Sequence, residues 1–176
     1  DIIIKDRTGE GVINDEDRTV IGNSIPRFTF GLNLGFEYKG FDFSCFFQGV
    51  GKADGYVTME AIQPMGINGA RKEHYKESFN PQDPKPGAYF PRILSSDYNY
   101  AYMSHWVQDA SYIRLKNLQI GYSFKIKGLN QLRVYASGEN LFTATKYRTW
   151  DPETPVGARG FYPNVAVYSM GVNLNF

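Results

Sequence analysis

The segment from Arg27 to Lys39 alternates strictly between two kinds of residue over 13 positions, and this pattern constrains the fold more than any other feature. Strict period-two alternation is typical of a β-strand. Strands of soluble proteins usually run about 5–6 residues, whereas a tilted membrane-spanning strand needs about 9–11. The length of the run therefore favours a membrane strand. One face is wholly apolar or aromatic and comprises Phe28, Phe30, Leu32, Leu34, Phe36 and Tyr38.

Four further segments show the same alternation, namely residues 41–50, 111–125, 132–143 and 165–176. Lys39-Gly40 predicts a two-residue turn, because glycine readily takes a positive φ. The phase of the third strand slips before Leu118, which a β-bulge or an exit from the hydrocarbon layer would explain. In the second strand Cys45 is expected on the lipid-facing side. Phe46 interrupts the polar side, where we expect it to pack against a plug or a loop.

Short and long connections alternate between these strands. The turns at Lys39-Gly40 and near Gly128 are short, whereas residues 51–110 and 144–164 form long loops. Bacterial outer-membrane barrels have short periplasmic turns and long extracellular loops. The sequence therefore predicts an all-β fold, a transmembrane antiparallel β-barrel segment with extracellular loops and a periplasmic C-terminus. A soluble β-sandwich is the alternative, because its strands also alternate, but they are shorter.

Five strands cannot close a barrel that needs at least about 8, so further strands must come from an upstream part of the protein or from other chains. The chain begins with Asp1 rather than Met, and we interpret it as part of a longer precursor or a processed product. Residues 1–26 are predicted to be an extracellular loop segment and residues 27–176 the C-terminal part of the barrel. Within the first long loop, residues 57–62 and 72–79 are helix candidates.

Composition excludes several functions. A net charge of +1 without a basic run gives no support for nucleic-acid binding. One cysteine allows no internal disulfide, and no apolar run reaches the ~18 residues of a transmembrane helix. The two histidines, His74 and His105, lie 31 positions apart and complete no Ser/His/Asp or Cys/His set. We therefore expect no enzyme activity and no organic cofactor.

The segment from Asp6 to Asp17 partly matches a calcium-binding loop. Asp6, Thr8, Glu10 and Asp17 occupy loop positions that carry ligands in the calcium pattern, with a glycine at the sixth position. Thr8 stands where Asp or Asn is usual, and Asp17 is shorter than the expected Glu. Two interpretations remain open, a weak or vestigial Ca²⁺ site and a plain solvated turn.

Aromatic residues cluster in the second long loop at Tyr147, Trp150, Phe161 and Tyr162. Aromatic faces suit stacking on sugars or contact with a partner protein, so these four residues are candidate partner or substrate contacts. The alternative is ordinary loop packing or an interfacial aromatic belt. The same two interpretations apply to the aromatic residues that end the first loop, Tyr98, Tyr100, Tyr102 and Trp106.

Charged residues on the side opposite the apolar one are expected to face the barrel lumen, where water or a partner can solvate them. We interpret them as contacts to the wall and to a plug rather than as a substrate site. They are Arg27, Glu37, Lys39, Asp42 and Arg133.

Several longer runs together resemble the SusC/RagA family of TonB-dependent outer-membrane transporters of Bacteroidota. The resemblance covers nearly the whole chain, and it is carried by GVINDEDRTVIGNSIPRFTFGLNLGFEYKGFDFSCFFQGV, HWVQDASYIRLKNLQIGYSF, LRVYASGENLFTATKY, the Asp151-Pro152-Glu153 step and YPNVAVYSMGVNLNF. The terminal strand that closes on Phe176 also resembles the signal read by the outer-membrane assembly machinery.

The resemblance implies a barrel of roughly 22 strands with an N-terminal plug. It further implies import of glycans or peptides together with a SusD-like surface lipoprotein, driven through TonB by a region that this chain does not contain. The alternatives from other classes are a structural or assembly-associated barrel protein that does not import, a porin, and an outer-membrane enzyme. The last is disfavoured by the lack of a catalytic set.

Overall fold

A computed structural model describes residues 2–57, 59–64, 69–84, 86–93, 98–128, 130–148, 150–154 and 162–176. The chain divides into two compact units. Among the described residues, one unit contains residues 2–22 and Tyr56–Gln108. The other contains Asn23–Gly55, Asp109–Thr154 and residues 162–176.

Five long strands form one antiparallel sheet in the second unit, in the order β1-β2-β5-β6-β7. This arrangement confirms the predicted all-β antiparallel fold class, and the strand ends agree with those predicted from sequence to within two residues. The sheet strands are β1 (Phe28–Tyr38), β2 (Phe41–Gly51), β5 (Tyr112–Phe124), β6 (Gln131–Thr145) and β7 (Val167–Asn175).

The remaining elements are short. The two helices lie where helix candidates were predicted, although each is shorter than expected. They are α1 (Met59–Ile62) and α2 (Lys72–Glu77). Two short strands that the sequence did not suggest, β3 (Asp54–Tyr56) and β4 (Val107–Asp109), pair with each other. Single 3-10 turns occupy Asp15–Asp17, Tyr98–Tyr100 and Ser104–Trp106.

The turn between β1 and β2 is the predicted two-residue turn. Lys39 has a φ of 49° and Gly40 a φ of 87°, so both central residues lie in the left-handed region. That conformation matches the right-handed twist of a hairpin, and the glycine adopts it without strain. As a result Tyr38 pairs directly with Phe41, and the register continues unbroken to Phe28 and Gly51.

The two faces of the five-stranded sheet differ sharply. We call the face that carries Phe43 the apolar face and the face that carries Asp42 the polar face. On the apolar face, large side chains remain exposed in β1, β5, β6 and β7, including Leu34 at 49% and Met170 at 91%, and those of β2 are half-buried. A monomer in water rarely exposes a contiguous apolar area of more than a few hundred Å². The apolar face is therefore a surface that contacts a nonaqueous medium or a partner.

A β-bulge in β5 explains the slip of phase predicted before Leu118. The register of β5 against β2 shifts between Leu115 and Asn117, which leaves Lys116 as the extra residue. The register against β6 shifts at the same place in the opposite sense, since two residues of β6, Asn140 and Leu141, lie opposite Lys116. The bulge keeps Leu115 on the apolar face and Arg114 on the polar face, because Arg114 pairs with Gln48. The prediction of a bulge is confirmed, and the strand does not end there.

Phe46 and Cys45 occupy opposite faces of β2, as their positions in the alternation predict. The ring of Phe46 lies over Gly31 of the neighbouring strand, where an added methyl group would be 3.0 Å from Cε2. Cys45 pairs with Leu34 on the apolar face and is buried among larger side chains. Both residues therefore complete the packing of the sheet.

The first unit has a core of its own, centred on the fully buried Trp106. The indole Nε1 of Trp106 donates to the carbonyl of Asn99 at 3.0 Å, and its carbonyl accepts from the Val57 amide at 3.1 Å. The amide of Ile2 donates to the Asn99 side chain at 3.0 Å, which ties the start of the chain to the same core. Among the described residues, no helix has the length and apolar character needed to cross a membrane.

Candidate functional site: the polar face and its loop anchor

A salt bridge between Asp42 of β2 and Arg133 of β6 crosses the polar face. The two residues are not on adjacent strands, because β5 runs between them. Arg133 Nε donates to Asp42 Oδ2 at 2.9 Å, and Nη2 donates to Oδ1 at 2.5 Å. The pair passes over Gly121 of β5, where an added methyl group would be 2.4 Å from the carboxylate. Only a residue without a side chain leaves room for this bridge.

Arg133 makes two further contacts that hold its guanidinium flat against the sheet. Its Nη2 donates to Gln119 Oε1 at 3.1 Å, and its guanidinium carbon lies 4.9 Å from the ring centre of Tyr135. A planar guanidinium favours such combined bidentate and stacked contacts. The sequence alternation predicts Asp42 and Arg133 on this face, but it does not pair them.

A second charged cluster fixes the loop that follows β6 to the polar face, and we call it the loop anchor. Its centre is Arg114, whose side chain is only 2% exposed. Arg114 Nη2 donates to Asp151 at 2.6 Å and Nη1 donates to Glu153 at 2.5 Å. Its Nε donates to Thr143 Oγ1 of β6 at 2.8 Å. The buried guanidinium is thus compensated by two carboxylates, as a charge in a desolvated site requires.

The carboxylate of Glu153 is the second centre of the loop anchor. It accepts from Tyr112 Oη at 2.9 Å, from Lys116 Nζ at 2.8 Å and from Arg114. It also accepts from Asn164 Nδ2 at 2.5 Å, on the limb of the chain that returns to β7. One side chain therefore connects both limbs of the second long loop to a single strand of the wall.

The sequence did not reveal the loop anchor. Arg114 and Glu153 are separated by 39 positions, and no local pattern links an arginine inside a strand to an acidic residue in a distant loop. A weak signal did exist, since the phase slip marks Lys116 as the bulge residue that the anchor uses. In the sequence, the Asp151-Pro152-Glu153 step contributes only to the family resemblance.

The candidate contact residues of the second loop occupy different environments. Tyr147 is only 8% exposed, and its ring packs over Gly55, where an added methyl group would be 2.7 Å from Cε2. Trp150 is half-buried. Tyr162 is 82% exposed and is available to a partner or ligand. Phe161 lies outside the described residues.

In the segment proposed as a calcium loop, Asp6 and Asp17 accept backbone hydrogen bonds. Asp6 accepts from the amides of Gly9 and Gly11 at 2.6 and 2.7 Å. Asp17 accepts from the amides of Arg7 at 2.6 Å and Asn14 at 3.0 Å. These donors hold the pKa of both carboxyls below 3.8, with Gly11 the main cause for Asp6 and Asn14 for Asp17.

The two other residues of that candidate site contribute less. The hydroxyl of Thr8 donates to Asp6 at 3.2 Å, and Glu10 accepts from the Asn14 side chain at 3.4 Å. Within the described residues no group of three or more Asp, Glu, His or Cys side chains is placed to hold a metal ion. The carboxylates of this segment are arranged as acceptors in a hydrogen-bonded turn more than as the ligands of a calcium site. Ca²⁺ binding stays a prediction.

Both histidine side chains make polar contacts within the first unit. The amide of Arg71 donates to Nδ1 of the buried His74 at 3.1 Å, while Nε2 of His74 lies 3.0 Å from the Ala61 carbonyl. His105 Nε2 lies 2.8 Å from the Tyr89 carbonyl.

The aromatic residues that end the first loop divide into buried and exposed ones, as those of the second loop do. Tyr100 and Trp106 are buried, whereas Tyr102 is exposed.

No family model matches the sequence. TonB-dependent receptor P3 of Formosa agariphila is 34% identical over 99% of this chain, and the match spans 19% of that receptor. TonB-dependent receptor SusC of Bacteroides thetaiotaomicron is 27% identical over 97% of the chain and 17% of its own length. The chain thus spans about a fifth of the length of the curated relatives it matches.

Solved structures of the RagAB peptide importer share the fold. The open-open state superposes with a TM-score of 0.70 over 88% of this chain and 18% of the importer chain, at 24% identity. The closed-closed state gives 0.72 over 95% of this chain and 20% of the importer chain, at 21% identity. The likeness therefore extends over nearly all of the present chain and over a small part of each relative.

Proposed function

The chain belongs to the SusC/RagA family of TonB-dependent receptors, and on that premise we propose that it forms the C-terminal part of the wall of an importer of glycans or peptides. Membership of this family places the chain in the outer membrane. The relatives are receptors rather than enzymes, which confirms that no catalytic role is to be expected.

The observation that carries the proposal is the exposed apolar face. Its side chains are aliphatic or aromatic along every strand of the sheet, while the opposite face carries the charged clusters. A transmembrane barrel wall shows this division, because one face meets lipid and the other an aqueous lumen. We therefore assign the apolar face to lipid and the polar face to the lumen.

Both edges of the sheet support the need for further strands. β1 and β7 each pair with one neighbour within the described residues, so each offers a second row of backbone donors and acceptors. Unpaired edges are not tolerated inside a bilayer. We propose that strands from the rest of the receptor, to a total of roughly 22, pair with both edges.

The lengths of the connections support an orientation. The turn at Lys39-Gly40 and the connection of residues 125–130 leave the same end of the sheet, and the two long loops leave the other. Short turns face the periplasm in this class of barrel. We propose that the long loops are extracellular and that Phe176 lies at the periplasmic rim.

The proposed partners follow from the family. A SusD-like surface lipoprotein would contact the extracellular loops, and Tyr162 is the most exposed of the described candidate contacts in the second loop. TonB would act through a region outside this chain. The RagAB importer is named for peptides, whereas the notion of a glycan cargo comes from the family resemblance.

Growth after gene deletion tests import. A strain that lacks the whole receptor should fail to grow on one class of glycan or peptide as sole carbon source, and a plasmid copy should restore growth. A copy without the TonB-contacting region should not. Undiminished growth of the deletion strain on every glycan and peptide tested would support a barrel that does not import.

A calcium site formed by Asp6, Thr8, Glu10 and Asp17 is a separate proposal. Calorimetric titration of the intact receptor with Ca²⁺ tests it, with Asp6→Ala as the comparison variant. Heat that is saturable in the parent and lost in the variant would support the site. Equal titrations of the two proteins would reject it.

A further inference from the structure

Three of the four side chains that donate to Glu153 come from one strand of the wall. Tyr112, Arg114 and Lys116 lie at alternate positions of β5, and the bulge at Lys116 keeps the third donor beside the other two. Their donor atoms lie 2.9, 2.5 and 2.8 Å from the carboxylate. An arginine, a lysine and a phenol directed at one point form a binding site for a carboxylate.

Contacts within the wall orient two of these donors without help from the loop. Arg114 Nε donates to Thr143 of β6 at 2.8 Å. Tyr112 Oη accepts from Gln48 of β2 at 3.4 Å, a longer contact from the strand on the other side. Because the neighbouring strands orient Arg114 and Tyr112, and the bulge fixes the backbone position of Lys116, the cationic site persists if Glu153 moves away.

Departure of Glu153 would leave Arg114 and Lys116 with one carboxylate, that of Asp151, between them. Arg114 lies below the surface, while the side chains of Lys116 and Glu153 are 24% and 19% exposed at the rim of the cluster. A cationic site of this kind needs water or another anion in place of the lost partner. Because its three donors already fit the carboxylate of Glu153, the site suits the carboxylate of an incoming ligand.

We propose that Tyr112, Arg114 and Lys116 form a carboxylate-binding site on the polar face of β5, which the chain's own Glu153 occupies in this structure. When Glu153 leaves, the site takes a ligand that carries a carboxylate. The segment from Asp151 to Thr154 is then a strap that the ligand replaces. Only the placement of this site in the lumen rests on the proposed function.

Chemical rescue tests the site in the intact receptor purified in detergent. Glu153→Ala removes the carboxylate with one methylene group and opens a space of the shape of acetate, which is the probe. Acetate should raise the melting temperature of this variant by about 2 °C or more above an equal concentration of acetamide, at matched ionic strength. The amide has the same shape but no charge, so the difference reports the carboxylate site.

Two further variants control the interpretation. Glu153→Gln fills the space with a neutral group, so acetate and acetamide should act alike on it. Lys116→Met combined with Glu153→Ala should reduce the rescue by at least half. Equal effects of the two probes on Glu153→Ala, or an equal gain from acetate in Glu153→Gln, would overturn the proposal. Because this experiment measures binding and not import, a negative result would reject the carboxylate site without bearing on the transport proposal.

Discussion

Asp42 and Arg133 are joined by a bidentate salt bridge that spans an intervening strand and passes directly over Gly121. The strand between them contributes no side chain at the crossing point. Together with the contact of Arg133 to Gln119, this bridge links β2, β5 and β6 on the face that we assign to the lumen. The side chains of Asp42 and Arg133 are 22% and 20% exposed, so solvent screens the pair only in part.

Gly121→Ala should break this bridge. Its methyl group would be 2.4 Å from Asp42 Oδ2 and 2.7 Å from Arg133 Nη2, and neither group can withdraw without losing the other. Overpacking of this kind costs about 1–3 kcal/mol. The melting temperature of the intact receptor should fall accordingly.

Gly35→Ala is the matched control, because it lies on the same face with its nearest heavy atom at 3.4 Å. It should change the melting temperature less than Gly121→Ala does. In a background that already carries Arg133→Met, Gly121→Ala should lose much of its effect. An undiminished effect in that background would contradict the assignment to the bridge.

Neutralising Glu153 should loosen the second loop more than neutralising Asp151 does. Glu153 accepts from three side chains of β5 and from Asn164, whereas Asp151 accepts from one wall residue, Arg114. Hydrogen exchange of residues 150–154 should therefore rise by about tenfold in Glu153→Gln and by less in Asp151→Asn.

Glu73→Gln provides the control for a general effect of charge, because Glu73 is an exposed residue of α2 in the other unit. Exchange in residues 150–154 should not change in this variant. If hydrogen exchange of residues 150–154 rose as much in Asp151→Asn as in Glu153→Gln, Glu153 would not be the main contact that holds the loop to the sheet.

The sheet could be predicted from sequence because its determinants are local. Alternation places every side chain of β1 on a face without reference to any other strand, and Lys39-Gly40 sets the register of the first hairpin. The slip before Leu118 located the bulge for the same reason. Regular period-two patterns are thus sufficient for strands of this length.

The loop anchor could not be predicted because its determinants are not local. The bond from Arg114 to Glu153 depends on how a long loop folds back onto the sheet, and β3 and β4 are too short to show a period. Solvent exposure also distinguishes residues that are equivalent in the sequence pattern. Tyr147 packs on Gly55 and Tyr162 is exposed, although both are aromatic residues of one loop.

The turn at Asp6 and Asp17 should lose its order in acid. Backbone amides bind the charged carboxylates, so the folded-state pKa of each lies below 3.8. A carboxyl group whose pKa is lowered by folding stabilises the folded state. This stabilisation is complete above the pKa of the unfolded state and is lost as the pH falls through the pKa of the folded state. Hydrogen exchange of residues 6–17, corrected for its intrinsic pH dependence, should therefore accelerate below pH 3.8.

Asp6→Asn tests the cause of that acid sensitivity. Asparagine keeps an oxygen acceptor near the amides of Gly9 and Gly11 but carries no titrating charge. The variant should show a weaker dependence on pH in this segment. A dependence as steep as that of the parent would assign the transition to another group.

Tyr162 and Tyr147 should respond differently to truncation. Tyr162→Ala should leave the melting temperature nearly unchanged, since exposed substitutions usually stay within about 0.5 kcal/mol. It should reduce co-purification of the proposed SusD-like lipoprotein in mild detergent. Tyr147→Ala should lower the melting temperature because its buried ring packs over Gly55. Unchanged recovery of the lipoprotein from Tyr162→Ala would remove that residue from the interface.

The central claim is that the apolar face meets lipid and the polar face meets water. Spin labels at successive single cysteines in β1, from Leu32 to Gly35 in a Cys45→Ala background, test it in receptor reconstituted into bilayers. Collision with oxygen, which concentrates in lipid, should be high at Leu32 and Leu34, and collision with a water-soluble nickel complex should be high at Asn33 and Gly35. Loss of this alternation, or low access of both reagents to Leu32 and Leu34, would contradict a membrane wall and indicate a face packed against protein.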